Sequence, residues 1–390
     1  MLLSNSGFPF SFGIFQEYYS THEPFSKDHS SIAIIGTTAT GLMYLGSPFM
    51  FAILQLWPQF RRLCSVLGLA LLAVALVASS FSASVADLLV SQGILYAIGG
   101  TMLYTPTILF LDEWFIRRKG LAFGIMWAGT GMSGVIIPFV MNWCLYKYGF
   151  ATMLRAWAVV LVVLTGPLLF FVKPRLPLRP GFQRRPFCFR FLRSSTFWIF
   201  EIGNIIQGLG FFIPNFYLPS YARSLGLSYL SSTVTVSLFN TTSVFGAVLL
   251  GGLIDKFHVT TVILIAAVGS TASVFLFWGF GASFPVLCFF SLFYGLFAGG
   301  YSSTYTGVIK EVQKREPGSE SGFVFGMLFA GRGVGAIVCG PLSDVLLSSR
   351  PWREEALLGY GSEYGGLIVF TGATAALGGV SWAGRKVGWM

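Results

Sequence analysis

One arginine lies inside a long apolar stretch of this 390-residue chain. Arg332 stands near the middle of residues 321–347, among glycine, alanine, leucine and phenylalanine. At the centre of a membrane helix an arginine costs about 2.5–3.5 kcal/mol, so it should face the protein interior or an aqueous cavity. A guanidinium group binds carboxylates with two parallel hydrogen bonds. Two alternatives follow: an anion-binding residue, or a structural ion pair or hydrogen bond between helices.

A second apolar stretch, residues 196–222, carries a stripe of polar side chains. At about 100° per residue, Glu201, Asn204, Gln207 and Asn215 share one helical face of about 120°. Such a face should look into the protein and away from lipid. We expect Asn204 and Gln207 to line a binding cavity, with hydrogen bonding between helices as the alternative. Glu201 is expected nearer the end of the stretch, where it would balance basic residues.

Other apolar stretches contain an amide and three phenol groups. Asn240 lies in the middle of residues 229–254, where it should face a cavity or a neighbouring helix. Tyr104, Tyr301 and Tyr305 offer flat rings on which a planar substrate could stack. The alternative for these tyrosines is ordinary packing, which is the usual role of aromatic rings in membrane helices.

Charged residues at the ends of two apolar stretches suggest a gate. Asp255 is the next-to-last residue of the run Gly251–Lys256, and Asp112 stands a few residues before Arg117 and Arg118. An acidic residue at a helix end can pair with a basic or dipolar partner in one conformation only, which would make a two-state latch. The alternative is simple charge balance at the membrane interface.

The composition identifies the class of protein that these segments must build. Hydrophobic residues make up 54% of the chain and charged residues only 10%, far below the ~25% typical of soluble domains. This excludes an ordinary soluble enzyme and also a disordered chain. The absence of ATP-binding and hydrolase motifs argues against a pump or an enzyme. The scattered cysteines and histidines indicate no metal or cofactor.

Twelve segments are long and apolar enough to span a bilayer, which needs ~20 residues. The predicted spans are 2–19, 31–56, 63–82, 86–111, 120–145, 153–172, 196–222, 229–254, 260–281, 285–309, 321–347 and 365–384. The longest break, residues 173–195, holds seven basic residues, no acidic residue and four prolines. We therefore predict an all-α membrane protein with two six-helix bundles, residues 1–172 and 196–390, joined by a basic cytoplasmic linker.

The distribution of basic residues supports this topology. With the N-terminus inside, the cytoplasmic segments hold 18 lysines and arginines, and the opposite side holds 6. Cytoplasmic loops of membrane proteins are enriched in these residues. The net charge of +10 is therefore attributed to these cytoplasmic loops of a protein in the bilayer, and no nucleic-acid partner is predicted.

The two predicted halves contain related sequences. Residues 120–131 read GLAFGIMWAGTG and residues 322–333 read GFVFGMLFAGRG, with six identities in twelve positions. The fifth span therefore corresponds to the eleventh. A parallel repeat of six spans is typical of secondary transporters built from two bundles.

The run Trp114–Gly124, WFIRRKGLAFG, carries a family resemblance. With Gly13–Tyr19 and Gly331–Gly335, it resembles the monocarboxylate-porter branch of the major facilitator superfamily, especially its fungal members. The resemblance covers nearly the whole chain. It implies two six-helix bundles, a central cavity and alternating access. Fungal members of the branch are linked to organic acids, riboflavin-like compounds and the export of secondary metabolites.

The chain departs from the animal monocarboxylate carriers in two spans. Phe8-Pro9 is followed by Phe10, where those carriers have a lysine. Residues 229–254 contain no charge, where they have an acidic residue and an arginine. The proton-and-lactate mechanism therefore cannot be transferred. The chain also begins almost inside its first span, which suggests a misassigned start or a truncated gene.

Together these observations predict a secondary transporter of a small organic solute. We expect an organic anion or metabolite as substrate, with secondary-metabolite efflux as one option and the direction of transport left open. The plasma membrane is favoured over a vacuolar or other organelle membrane. Proton coupling is left open, because the acidic residues in the spans lie near span ends. The alternatives are a non-transporting membrane sensor on the same scaffold, or an inactive truncated paralogue.

Overall fold

The computed structural model describes residues 12–175, 189–349 and 357–390. These residues form helices and connecting turns, and they contain no β-strand. The helices are α1 (Phe12–Thr21), α2 (His29–Leu45 and Ser47–Leu56), α3 (Arg61–Ser79), α4 (Val85–Trp114), α5 and α6 (the two parts of Lys119–Phe171), α7 (Ser195–Ser224), α8 (Tyr229–Ile254), α9 (Val259–Trp278), α10 (Phe284–Arg315), α11 (Ser321–Ser349) and α12 (Gly365–Val387).

The described residues include 11 helices that are long and apolar enough to cross a membrane. The prediction of an all-α membrane protein is therefore confirmed. The first predicted span, residues 2–19, lies largely outside the described residues. The largest difference in bounds is at α10, which continues to Arg315 beyond the predicted end at residue 309. Its last turn is polar and basic, so hydrophobicity alone does not detect it.

Local sequence sets several helix ends. α4 begins with a capping box in which Ser84 Oγ accepts the amide of Asp87 at 3.2 Å, and Asp87 Oδ2 accepts the amide of Ser84 at 2.9 Å. The break between α5 and α6 is a single residue, Gly149, with φ 78° and ψ 165°. Only glycine adopts such a backbone conformation readily, so the chain turns there without a longer loop.

The first compact unit of the described chain contains residues 12–117, 133–175 and 320–333. Its core includes a group of aromatic rings from α1, the following turn and α6. The ring of Phe25 lies 5.0 Å from that of Tyr19 and 5.4 Å from that of Phe150, both edge to face. Gln92 of α4 donates a hydrogen bond of 2.8 Å to the Tyr19 hydroxyl. The short helix α1 is thus fixed to its unit by aromatic packing.

The second compact unit contains residues 118–132, 189–319, 334–349 and 357–390. Glycines bring its helices together. A Cβ atom at Gly300 would lie 2.5 Å from the carbonyl oxygen of Gly246, and one at Gly335 would lie 2.5 Å from the carbonyl carbon of Gly208. Small residues of this kind let membrane helices approach until their backbones touch.

These contact-based units differ in extent from the halves expected from the repeat. Residues 118–132, the beginning of α5, belong to the second unit, and residues 320–333, the beginning of α11, belong to the first. The predicted division into bundles 1–172 and 196–390 concerns topology in the membrane and stays a prediction.

Candidate functional site

Arg332 is buried within the first unit, with 3% of its surface exposed. Among the charged residues of the described ranges, only Arg332 and Glu201 are buried to this degree. Arg332 lies near enough to Tyr44 of α2 for an electrostatic interaction. The expectation that this arginine faces the protein interior therefore agrees with its burial, and its role in binding a substrate stays a prediction.

Three aromatic rings lie around this part of α11. The Phe329 ring is stacked on Tyr44 at 5.5 Å and lies 5.7 Å from Tyr104. The Tyr104 hydroxyl donates to the carbonyl oxygen of Met43 at 2.9 Å and also contacts the Ser47 hydroxyl. Tyr104 is therefore held in place by α2, and its ring belongs to the surroundings of the arginine.

We call Arg332, Tyr44, Tyr104 and Phe329 the arginine–aromatic cluster. Sequence reasoning identified Arg332 and Tyr104 but missed Tyr44 and Phe329. Phe329 precedes Arg332 by three residues, and this spacing places two side chains on the same face of a helix. No comparable signal marks Tyr44, because it comes from a different helix.

The second unit holds a separate group of buried polar residues. The Tyr305 hydroxyl of α10 donates a hydrogen bond of 2.7 Å to Oδ1 of Asn204 on α7. The Tyr305 ring also lies 6.5 Å from that of Tyr301, edge to face. Asn204 is 1% exposed and Tyr305 is 1% exposed. Three of the predicted binding residues are thus brought together by α7 and α10.

The remaining predicted binding residues of this unit are also buried. α12 is interrupted between Leu377 and Val380. The Gln207 side chain lies beside this break, where a Cβ atom at Gly378 would be 2.9 Å from Gln207 Cβ. Asn240 is 8% exposed, and its backbone carbonyl lies against Gly131 of α5. Glu201 is buried as well, at 3% exposure. The polar face of α7 is therefore directed inward, as its angular spacing suggested.

Asp255 caps the beginning of α5. Its carboxylate oxygens Oδ1 and Oδ2 accept hydrogen bonds of 2.9 Å from the backbone amides of Gly120 and Leu121, respectively. The first amides of a helix have no acceptor within the helix, and their partial positive charge favours an anion. Arg118, the residue before this helix, has a positive φ of 52°. Lys310 is a weaker partner, with its Nζ 4.0 Å from Asp255 Oδ1.

Close packing of α5 on α8 brings the Asp255 carboxylate near the first amides of α5. A Cβ atom at Gly251 would lie 2.9 Å from the Cα atom of Gly124 and would collide with the carbonyl oxygen of Gly120. The small residues at these positions are spaced four apart, which is the spacing of close helix crossings in membranes. The carboxylate at the end of α8 can therefore reach the amides at the beginning of α5.

The first unit has a different arrangement at the beginning of α11. Asp112 accepts a hydrogen bond of 2.8 Å from the Ser321 hydroxyl. The neighbouring Glu113 forms an ion pair with Arg61, whose Nε also donates to the carbonyl of Leu54 at 3.1 Å. The acidic residues at the end of α4 thus interact with α3 and α11.

Arg117 and Arg118 are exposed and make no ion pair within the described ranges. Among the described residues, neither arginine therefore forms an ion pair with Asp112. A gating role for Asp112, Arg117, Arg118 and Asp255 stays a prediction. Across residues 12–175, 189–349 and 357–390, no three histidine, cysteine or acidic side chains are grouped as a metal site would require.

Comparison with known proteins places the chain in a family. The family model for the Major Facilitator Superfamily matches residues 2–312 and 202–382. The MFS-type transporter pytF of Aspergillus terreus is 29% identical over 247 residues, which are 63% of this chain and 83% of the relative. An MFS-type transporter of Gibberella moniliformis is 27% identical over 368 residues, 94% of this chain and 85% of the relative.

A third relative is named for what it exports. The aspyridones efflux protein apdF of Emericella nidulans is 24% identical over 400 residues, covering 99% of this chain and 76% of the relative. These names support the predicted transporter over the alternative of a non-transporting sensor. With its eleven described membrane-length helices, the chain belongs to the Major Facilitator Superfamily and is a multi-pass membrane transporter.

Proposed function

We propose that this transporter exports an organic anion with a flat, partly apolar body, and that it belongs to the monocarboxylate-porter branch of its superfamily. The run Trp114–Gly124 supports the branch. The names of relatives as efflux proteins support export of a metabolite. Export from the cell requires the plasma membrane, which we propose as its location.

The single observation that carries the proposal is the arginine–aromatic cluster. A guanidinium keeps its charge in proteins and binds a carboxylate or enolate with two hydrogen bonds. Burial of Arg332 removes competing water, so a substrate anion would gain more from this contact than it would at an exposed arginine. The rings of Phe329, Tyr44 and Tyr104 add apolar faces suited to a planar body.

Buried amides in the second unit supply different chemistry. Asn204 and Gln207 can donate to or accept from uncharged oxygen atoms, and Tyr305 orients the Asn204 amide. We propose that these residues bind neutral polar groups of the substrate. Asn240 and Tyr301 are proposed for the same role.

Glu201 is proposed as the proton-carrying residue. It is the only carboxylic acid buried within the described ranges, and it precedes Asn204 by three residues on the inward face of α7. Buried acidic residues in membrane helices commonly serve proton relays. Coupling to an inward proton gradient would drive export of the anion.

The test is transport by the full chain in proteoliposomes. Aromatic carboxylates would be compared with their uncharged amides, using wild-type protein, Arg332→Gln, and the matched control Arg223→Gln at an exposed arginine. We expect wild type and Arg223→Gln to transport the carboxylates preferentially. Arg332→Gln should lose this preference by about tenfold or more, since a charge-assisted hydrogen bond contributes ~1.5–3 kcal/mol.

Two results would contradict the proposal. Equal transport of carboxylates and their amides by the wild type would exclude the proposed preference for an anionic substrate. If the Arg332→Gln variant is folded and inserted in the membrane and still prefers carboxylates, Arg332 is excluded as a substrate-binding residue.

A further inference from the structure

A groove opens on the first unit between α3, α4 and α6. Its volume is about 320 Å³. Its described lining is apolar apart from Arg62 and Ser65, and it includes Val66, Leu69, Phe110 and Phe170. No residue of the arginine–aromatic cluster lines it, so the groove is distinct from the proposed substrate site.

The groove has a buried floor and an open side. Leu69 and Phe110 at its floor are 6% and 4% exposed, whereas Val66 and Phe170 at its edges are 51% and 71% exposed. At Gly166 a Cβ atom would meet nothing within 4 Å, so this glycine leaves the space empty. Apolar side chains exposed on a membrane helix contact lipid tails, and the groove therefore opens towards the bilayer.

Among the described residues, Arg62 is the one charged side chain that lines the groove. Its neighbour Arg61 is already engaged by Glu113 and by the carbonyl of Leu54. Arg62 is exposed and makes no hydrogen bond or ion pair within the described ranges. Lys173 directly follows Val172, so a second positive charge stands at the same end of the groove.

This end of the groove is the predicted cytoplasmic end. Residues 61–62 and 173–175 belong to the two basic segments that the charge distribution assigns to the cytoplasm. The cytoplasmic leaflet of cell membranes carries anionic lipids, and each basic residue near its surface contributes about 1 kcal/mol of attraction. An apolar groove with a cationic end matches the two parts of such a lipid.

We propose that the groove binds one anionic phospholipid of the cytoplasmic leaflet. An acyl chain would lie between Val66 and Leu169, and the headgroup phosphate would bind Arg62. A water-soluble ligand is disfavoured because the walls are apolar and the open side faces lipid.

The headgroup is tested with full-length protein in nanodiscs of phosphatidylserine and phosphatidylcholine in equal amounts. Lipid that remains bound after gentle detergent extraction is identified by native mass spectrometry. Arg62→Gln should lower the ratio of bound phosphatidylserine to bound phosphatidylcholine about fivefold, which corresponds to the attraction lost with one basic residue. The control Lys256→Gln removes an exposed basic residue at another cytoplasmic segment and should leave the ratio unchanged.

The acyl chain is tested separately with Gly166→Leu, which fills the groove and keeps Arg62. This variant should lose the bound lipid whatever its headgroup. A photoreactive acyl chain should label α3 and α6 of the wild type and not of Gly166→Leu. The proposal is overturned if Arg62→Gln and Lys256→Gln change the ratio equally, or if labelling is scattered and insensitive to Gly166→Leu.

Discussion

The cap that Asp255 places on α5 can be removed with a single substitution. Asp255→Asn keeps the size of the side chain and one carbonyl oxygen. It replaces the other oxygen with an NH₂ group, which cannot accept a hydrogen bond from a backbone amide. One of the two 2.9 Å bonds to Gly120 and Leu121 is therefore lost, together with the negative charge.

The magnitude follows from the two contributions that disappear. A hydrogen bond to a charged group is worth ~1.5–3 kcal/mol, and a carboxylate at a helix N-terminus adds ~0.3–1 kcal/mol. The Asp255 side chain is only 14% exposed, so screening by solvent is limited. We expect a loss of about 2–4 kcal/mol, which is roughly 30-fold to several-hundred-fold in the local opening equilibrium.

Hydrogen exchange measures this opening directly. The amides of Gly120 and Leu121 lie in the first turn of α5, where no helical carbonyl can accept them. Their protection therefore depends on Asp255. Mass-spectrometric exchange of the segment around residues 115–130 should show faster exchange of these two amides in Asp255→Asn than in the wild type.

Lys310→Gln separates the cap from the ion pair. Lys310 is 48% exposed and its Nζ is 4.0 Å from the carboxylate, so the pair is worth about 0–1 kcal/mol. This variant should accelerate exchange by less than about fivefold. Unchanged exchange in Asp255→Asn, or an equal effect of Lys310→Gln, would refute the assignment of Asp255 as the cap.

Three other predictions concern packing, pH and coupling. Gly124→Ala should lower the melting temperature, because its Cβ atom would press on the α8 backbone. The Cβ atom of Gly129→Ala would meet nothing within 4 Å, so this variant should stabilise the protein by ~0.5–1 kcal/mol. Equal effects of the two variants would contradict this packing. Burial and the nearby Arg385 lower the pKa of His258 below its ordinary ~6.5, so its contribution to stability is present above pH ~6.5 and is lost as the pH falls from there through the lowered pKa. His258→Asn keeps a helix-capping oxygen and should weaken this fall in melting temperature, whereas an identical pH profile would exclude His258 as its source. Glu201→Gln should abolish the response of transport to a pH gradient, and persistence of that response would exclude Glu201 as the proton carrier.

The sequence predicted those site residues whose polarity contrasts with the apolar stretch in which they lie. Arg332 stands in an apolar stretch, and Asn204 and Gln207 share a helical face, so their burial follows from the cost of exposing such groups to lipid. It could not predict Tyr44, because the electrostatic interaction with Arg332 joins α2 to α11. Glu201 lies on the same face and is buried too, whereas its expected balancing of basic residues stays a prediction.

What the sequence determined by itself is the membrane-spanning all-α fold, because hydrophobicity and length decide which segments can satisfy their backbone within lipid. Only the tertiary structure decided the partners: Asp255 on the amides of α5, Ser321 on Asp112, and Arg62 at the end of an open groove. These contacts join helices far apart in the chain, and their geometry depends on how the helices cross, which no local pattern of residues specifies.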